Sequence, residues 1–180
     1  MLTRLVLCLG LLWPGLVAAN DWDALDQPGA FAIMRHALAP GTGDPAGFDI
    51  DDCSTQRTLS DQGRDQARAV GAAFAERGIA FDAVLTSEWC RCSETAELLA
   101  LGPVEAAPAL NSFFGDYDQR ASRTEAALAL LRDRDDRLFV VTHQVNISAL
   151  AGQGTQSGEV LVVRTGADGL EVLGSIYVAS

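Results

Sequence analysis

The order of apolar segments predicts an α/β protein. It should be a three-layer sandwich with a mostly parallel central sheet, one antiparallel edge, and helices on both faces. Three observations carry this expectation. Short apolar runs of strand length recur at Ala30–Met34, Ala83–Thr86 and Leu138–Val141, with too little alternation for one face to meet water. Segments with helical spacing lie between them. The C-terminal part instead places two strand-like runs, Val160–Arg164 and Val172–Val178, around Gly166-Ala167-Asp168-Gly169, which reads as a hairpin.

The chain has 180 residues, and its first nineteen read as a removable leader. Met1 to Leu7 carries one basic residue, Arg4. An apolar run from Leu5 to Leu12 follows, and Val17 and Ala19 satisfy the small-residue rule for cleavage before Asn20. The run is shorter than the roughly 20 apolar residues a membrane span needs. Residues 1–19 are therefore read as a secretory signal peptide and residues 20–180 as one domain. That reading predicts a periplasmic or secreted protein with no stable membrane insertion once the signal is removed.

Taking Arg4 from the 13 basic residues leaves 12 against 24 acidic ones, a net charge of −12. Such a chain is unsuited to nucleic acid or to an anionic lipid surface. Cys8 leaves with the signal, so Cys53, Cys90 and Cys92 remain. In an exported protein this predicts one disulfide and one free thiol, Cys53 pairing with either Cys90 or Cys92. A zinc site is the competing use of these thiols. It would have to draw on the chain's two histidines, which stand elsewhere, so no metal is expected.

The elements follow in order. Residues 20–29 are a polar lead-in ending at Pro28-Gly29, and the first strand runs from Ala30 to Met34. A loop rich in Gly, Pro and Asp spans Ala39 to Cys53; a loop this long after a strand end is more often functional than decorative. Ser60 caps a helix that closes at Gly78, with Ala67, Val70, Phe74 and Ala75 on its apolar face and Asp65, Arg68 and Glu76 opposite. The second strand ends at Ser87. A helix from Trp89 to Leu101 turns Ala96, Leu99 and Ala100 inward, and Val104–Ala107 is a short edge strand between two prolines. A third helix starts at Ser122 or Thr124 and runs through Leu131. After the strand Leu138–Val141, Asn146 caps a short helix ending at Ala151.

Chemistry-bearing residues collect at the carboxyl ends of the predicted strands, where open α/β sheets bind ligands. Arg35-His36 follows the first strand, Arg91 follows the second, and Thr142-His143 follows the third. An arginine fork matches phosphate oxygens in bidentate fashion. The helices after Ser87 and His143 would add N-terminal amides. A neutral imidazole can attack phosphorus to give a phosphohistidine.

These segments carry a family resemblance. Met34-Arg35-His36-Ala37 resembles the Arg-His-Gly signature of the histidine phosphatase superfamily, the phosphoglycerate-mutase-like clan. Leu59-Ser60-Asp61-Gln62-Gly63-Arg64-Asp65-Gln66-Ala67 is similar to its Leu-[Thr/Ser]-x-x-Gly-x-x-Gln-Ala helix start. Ser87 to Ala96 is similar to its Ser-Pro-x-x-Arg-x-x-x-Thr-Ala segment, and Val141-Thr142-His143 to its second-histidine strand. The resemblance implies His36 as nucleophile, with Arg35, Arg91 and His143 binding the transferred phosphoryl group. Arg57 stands where some members have a further phosphate-contacting arginine. No cofactor is implied, and the partner would be a small phosphorylated substrate.

Two departures bear on the chemistry. Ala37 replaces the usual glycine after the nucleophile. The general acid is also unassigned, since Gln144 follows His143 where some members have Asp. Asp116 in the Asn111–Gln119 loop is the candidate, Glu159 a second; with neither in place, substrates with good leaving groups are favoured. The leader together with Cys90-Arg91-Cys92 and Thr142-His143-Gln144 most resembles small exported bacterial members. Some relatives of that kind are linked to phosphates on lipopolysaccharide core sugars. The competing expectation is a phospho-ligand-binding protein of weak catalytic power using the same pocket.

Overall fold

The computed structural model describes residues 20–178, so the predicted signal peptide lies outside the described residues. Six strands form one sheet: β1 (Phe31–Arg35), β2 (Ala83–Thr86), β3 (Val104–Ala106), β4 (Leu138–Thr142), β5 (Glu159–Thr165) and β6 (Leu170–Tyr177). Their order across the sheet is β3-β2-β4-β1-β5-β6. The first four are parallel, and β5 and β6 add antiparallel at the β1 side. The helices are α1 (Asp61–Ala75), α2 (Cys90–Leu99), α3 (Arg120–Arg132) and α4 (Gln144–Ala151). This is the mostly parallel three-layer arrangement the sequence predicts, with the hairpin at its antiparallel edge.

The strands read as apolar runs because both faces of the sheet are covered. Side chains alternate across the sheet. Ala32, Met34, Phe139 and Val141 meet Val70 and Phe74 of α1 and Ala96 and Leu99 of α2. Ile33, Val140 and Leu161 meet Leu128 and Leu131 of α3 and Ile147 of α4 on the other face.

Helix α1 starts where its cap residue places it: Ser60 Oγ accepts from the Gly63 amide at 3.1 Å. Its buried face is Gly63, Gln66, Ala67, Val70, Gly71 and Phe74, and Ala75 is exposed because the helix ends there. Ala100 is likewise not inward. It is exposed and left-handed at φ 51°, the residue that stops α2. Helix α4 starts three residues earlier than Asn146 as its cap would place it, directly after His143. Asn146 lies buried in the first turn and donates to the Asn111 carbonyl at 3.0 Å. Helix α3 starts at Arg120, ahead of Ser122. The polar lead-in contains a 3-10 turn, Trp22–Asp26, whose Ala24 and Leu25 join the α1 side of the core.

Helices α1 and α2 approach closely at Gly71, where a Cβ would stand 2.1 Å from the Leu99 carbonyl oxygen. Backbone cannot yield to a methyl group at that distance, so overpacking outweighs the gain in helix propensity. Gly71→Ala is expected to lower stability by about 3 kcal/mol, read as a shift of the urea midpoint, whereas Ala72→Ser on the exposed side of the same helix should leave the midpoint nearly unchanged.

Candidate active site

The parallel register of β1 and β4 sets Arg35 opposite Thr142, which brings the two histidines that follow these strands together. The His36 amide continues the ladder to the Thr142 carbonyl at 2.9 Å, and the imidazole centroids lie 5.6 Å apart. Both rings are buried, His36 2 % and His143 3 % exposed. They border a cavity of about 540 Å³ that Arg35, Arg57 and Arg91 also line. The sequence-predicted residues His36, Arg35, Arg91, His143 and Arg57 are thus brought to one cavity.

The ring nitrogens of His36 are told apart by their surroundings. Nδ1 lies 2.8 Å from the Ala37 carbonyl, which can only accept, so the proton sits on Nδ1 and Nε2 carries the lone pair. Burial lowers the His36 pKa most, the hydrogen bond to the Ala37 carbonyl opposes it, and the Arg91, Arg35 and Arg57 charges lower it further, to about 3. The imidazole is therefore neutral at ordinary pH, the form that can attack.

His143 is held in the other orientation. Arginine only donates, so Nδ1 accepts from Arg91 Nη2 at 3.4 Å, and Nε2–H donates to Ser87 Oγ at 2.9 Å. The Ser87 hydroxyl passes its proton toward Asn111 Oδ1 at 3.2 Å, and the Asn111 amide donates to Glu88 Oε2 at 2.7 Å. Burial, followed by the Arg91 charge, holds the His143 pKa well below its usual value.

The helix-start motif works as a clamp on the segment after His36. Leu38 donates its amide to Gln66 Oε1 at 3.1 Å and accepts from the Ser60 amide at 3.1 Å. Gly63 is required because a Cβ there would stand 2.0 Å from the Leu38 carbonyl oxygen. From α2, Thr95 Oγ1 accepts from the Ala37 amide at 3.0 Å while donating to the Arg91 carbonyl at 2.6 Å. Ala37 needs no glycine conformation: Ala100 is the one non-glycine residue at positive φ among the described residues, and Ala37 packs with Ala39, Leu59 and Ala67.

One wall of the cavity is the loop from Gly41 to Phe48. The Cys53–Cys90 disulfide ties its far end to the start of α2, leaving Cys92 as a buried free thiol. Burial pushes the Cys92 thiol up to about 12. The loop also delivers a residue that sequence reasoning missed. Asp44 Oδ1 accepts from Arg91 Nη1 at 2.7 Å and from the Arg57 amide at 3.0 Å, and Oδ2 accepts from the Trp89 indole at 3.1 Å. These bonds outweigh the effect of burial and lower the Asp44 pKa, so it stays ionised. No periodicity or motif marks Asp44; its place in a long loop after the first strand is the one signal that could have pointed to it.

The acid candidates lie elsewhere. Asp116 is exposed and bonded to Gln119, and Glu159 accepts from Ser175 Oγ at 2.6 Å; neither lines the cavity. Among the described residues Asp44 is the single carboxylate that does. Arg57 donates from Nε to the Gly43 carbonyl at 2.8 Å and from Nη1 to Ala39, leaving Nη2 uncommitted. Among the described residues the Arg35 guanidinium is bonded to no protein group and borders the cavity directly.

A neutral imidazole among three guanidiniums, at the carboxyl ends of parallel strands of an α/β sheet, is an arrangement that can hold phosphoryl oxygens. The family model of the histidine phosphatase superfamily (branch 1) matches residues 32–128, more than half of the chain, and the protein belongs to that superfamily. Membership supports phosphatase activity in general terms. Similar solved structures include the protein histidine phosphatase SixA complexed with tungstate, at 19% identity, 82% coverage of this chain and 96% of that one, with a TM-score of 0.58. The α-ribazole phosphatase of Shigella flexneri is 18% identical over 84% of this chain and 98% of its own, with a TM-score of 0.58. A phosphoglycerate mutase of Thermus thermophilus is 15% identical over 83% and 99%, with a TM-score of 0.60. At these identities the likeness concerns the fold. No curated protein sequence matches the chain at a significant level.

The buried histidines make stability depend on pH. The unfolded chain binds a proton at His36 below about 6.5, whereas the folded chain does so only near 3, so stability is lost as pH falls through this window. Between pH 6.5 and 5 urea melts should show a loss approaching 1.4 kcal/mol per pH unit for His36. His36→Asn should remove its share of the slope. Inorganic phosphate should flatten the slope in the wild type, because a dianion beside the rings favours their protonated forms.

Proposed function

We propose that the protein is a phosphoric monoester hydrolase that works through a phosphohistidine at His36 without a metal ion. The observation that carries this reading is the neutral His36 imidazole, its Nδ1 proton held by the Ala37 carbonyl, facing a cavity walled by three arginines. In the first step Nε2 forms a bond to phosphorus, the ester P–O bond breaks, and its electron pair leaves with the alcohol oxygen. Arg35, Arg57 and Arg91 stabilise charge on the equatorial oxygens, and His143 stands across from the nucleophile. Water then attacks phosphorus, the N–P bond breaks, and its pair returns to Nε2 as phosphate leaves.

The departing oxygen needs a proton. Asp44, ionised and bound to Arg91, is a poor donor. The reading therefore favours substrates whose leaving groups need little help, such as phosphoamidates, acyl phosphates and anomeric phosphates. The leader supports a periplasmic or secreted site of action. The resemblance to small exported members supports a cell-envelope sugar phosphate, including one on a lipopolysaccharide core sugar. The same engagement of Asp44 favours a second reading, a protein that binds a phosphorylated ligand and turns it over poorly.

Hydrolysis of p-nitrophenyl phosphate by the purified protein should survive EDTA and fall on the order of 10³-fold or more in His36→Ala. Loss of activity in EDTA would sink the metal-free mechanism. Thermal protection by phosphate without phosphate release would select the binding protein. Across a series of phosphate monoesters, kcat/KM should fall steeply as leaving-group pKa rises, about 100-fold or more between aryl and alkyl esters; a flat series would mean that a proton donor operates.

A further inference from the structure

Asp44 makes one of the most buried ion pairs in the protein, with side chains 3 % exposed for Arg91 and 9 % for Asp44. We propose that Asp44 is a positioning residue for phosphoryl transfer: its carboxylate fixes the Arg91 guanidinium so that the Nε–Nη2 edge stays free to take the phosphoryl oxygens. The proposal rests on the phosphatase reading above.

A guanidinium offers two edges for bidentate contact. The carboxylate takes Nη1, the nitrogen on the Cδ side. Nε is buried with no hydrogen-bond partner, and Nη2 has only a long contact of 3.4 Å to His143 Nδ1. The carboxylate therefore leaves the donors of the side edge, the one that can grip two oxygens at once, without a short protein partner: Nε has none, and Nη2 has the long one at His143.

Asp44 can act as an anchor because it is itself held from three places. Arg91 comes from α2, the Trp89 indole from the residue before α2, and the Arg57 amide from the end of the loop. Phe48 packs against Trp89 with ring centroids 5.6 Å apart, and Gln56 Oε1 accepts from the Cys90 amide at 3.1 Å, so the loop is seated on the start of α2 at several points. Three guanidiniums share this cavity, and Asp44 is the single carboxylate on its walls. Without that counter-ion Arg91 would be repelled by Arg35 and Arg57 and would lose its short side-chain contact, keeping only the long one to His143. The adjacent His143 would lose its partner at Nδ1 as Arg91 turned.

The test compares Asp44→Ala, Asp44→Asn and Asp44→Glu by p-nitrophenyl phosphate kinetics and by calorimetric titration with inorganic phosphate, with melting curves beside them. Asp44→Ala should lower kcat/KM about 100-fold, the scale of a catalytic group misplaced by an ångström, and weaken phosphate binding at least about tenfold. Asp44→Asn keeps an oxygen for Arg91 and the Arg57 amide but not the charge, and should fall between Asp44→Ala and the wild type in both. Asp44→Glu keeps the charge but displaces the guanidinium by roughly one carbon–carbon bond; kcat should fall at least about tenfold while the melting temperature stays near that of the wild type. If Asp44→Ala does not fold, Asp44→Glu decides. Unchanged kcat and phosphate affinity in Asp44→Glu, or in a folded Asp44→Ala, would overturn the proposal and leave the pair a support of the loop alone. The titration needs no turnover. A wild type that binds phosphate in an Asp44-dependent way yet hydrolyses nothing would sink the phosphatase reading while upholding the role of Asp44.

Discussion

The register between β1 and β4 is the constraint on which the rest depends. Arg35 lies opposite Thr142, and the His36 amide continues the ladder to the Thr142 carbonyl. A parallel pair ends with both carboxyl termini on the same side, so this single alignment delivers both imidazoles to one place. A slip of one residue would turn His36 or His143 to the opposite face. The apolar strands, covered by helices on both sides, make such a slip costly, since it would also exchange the residues facing the α1–α2 layer with those facing α3–α4.

Around that alignment the protein places charge where burial opposes it. Two neutral imidazoles and three guanidiniums share one cavity, and the pKa values of His36, His143, Arg35 and Arg57 are all lowered by burial and by the Arg91 charge. This is a site kept electrostatically expectant: each of these groups gains when a dianion enters, and Asp44 alone offsets part of the excess in the meantime. The sheet, the Leu38 clamp and the Thr95 bridge supply the rigidity that holds such an arrangement together. Thr95 in particular links the Ala37 amide, next to His36, to the carbonyl of Arg91, so the end of β1 and helix α2 cannot shift independently.

What was legible in the sequence follows from what each residue has to satisfy. Buried parallel strands must be apolar throughout, so β1, β2 and β4 announce themselves, and a long, well-capped helix such as α1 does the same through Ser60 and its apolar stripe. His36, Arg91 and His143 were readable because each follows a strand end, where a polar residue has little structural reason to sit. Helix starts at α3 and α4 were less readable, because Ser122, Thr124 and Asn146 are good caps by type while tertiary contacts place the actual starts earlier. Trp22–Asp26 was hidden by its polar composition, although Ala24 and Leu25 complete the core. Asp44 was out of reach. Its position is set by a loop conformation in which Gly41, Gly43 and Gly47 have positive φ, by partners 13 and 47 residues away in sequence, and by the Cys53–Cys90 bond, whose pairing among three cysteines composition alone left open. Asp116 and Glu159, plausible by position, are held away from the cavity by Gln119 and by Ser175.

The division between strand and loop has an evolutionary side. Arg35 and the two histidines stand at the ends of the most constrained strands of the fold, whereas the facing wall from Gly41 to Phe48 contains no regular element. Insertions and substitutions in surface loops disturb stability little compared with changes in a sheet. A scaffold of this kind can therefore change which molecules enter without disturbing the strand ends that carry the histidines, so long as the few residues that moor the loop to α2 are kept.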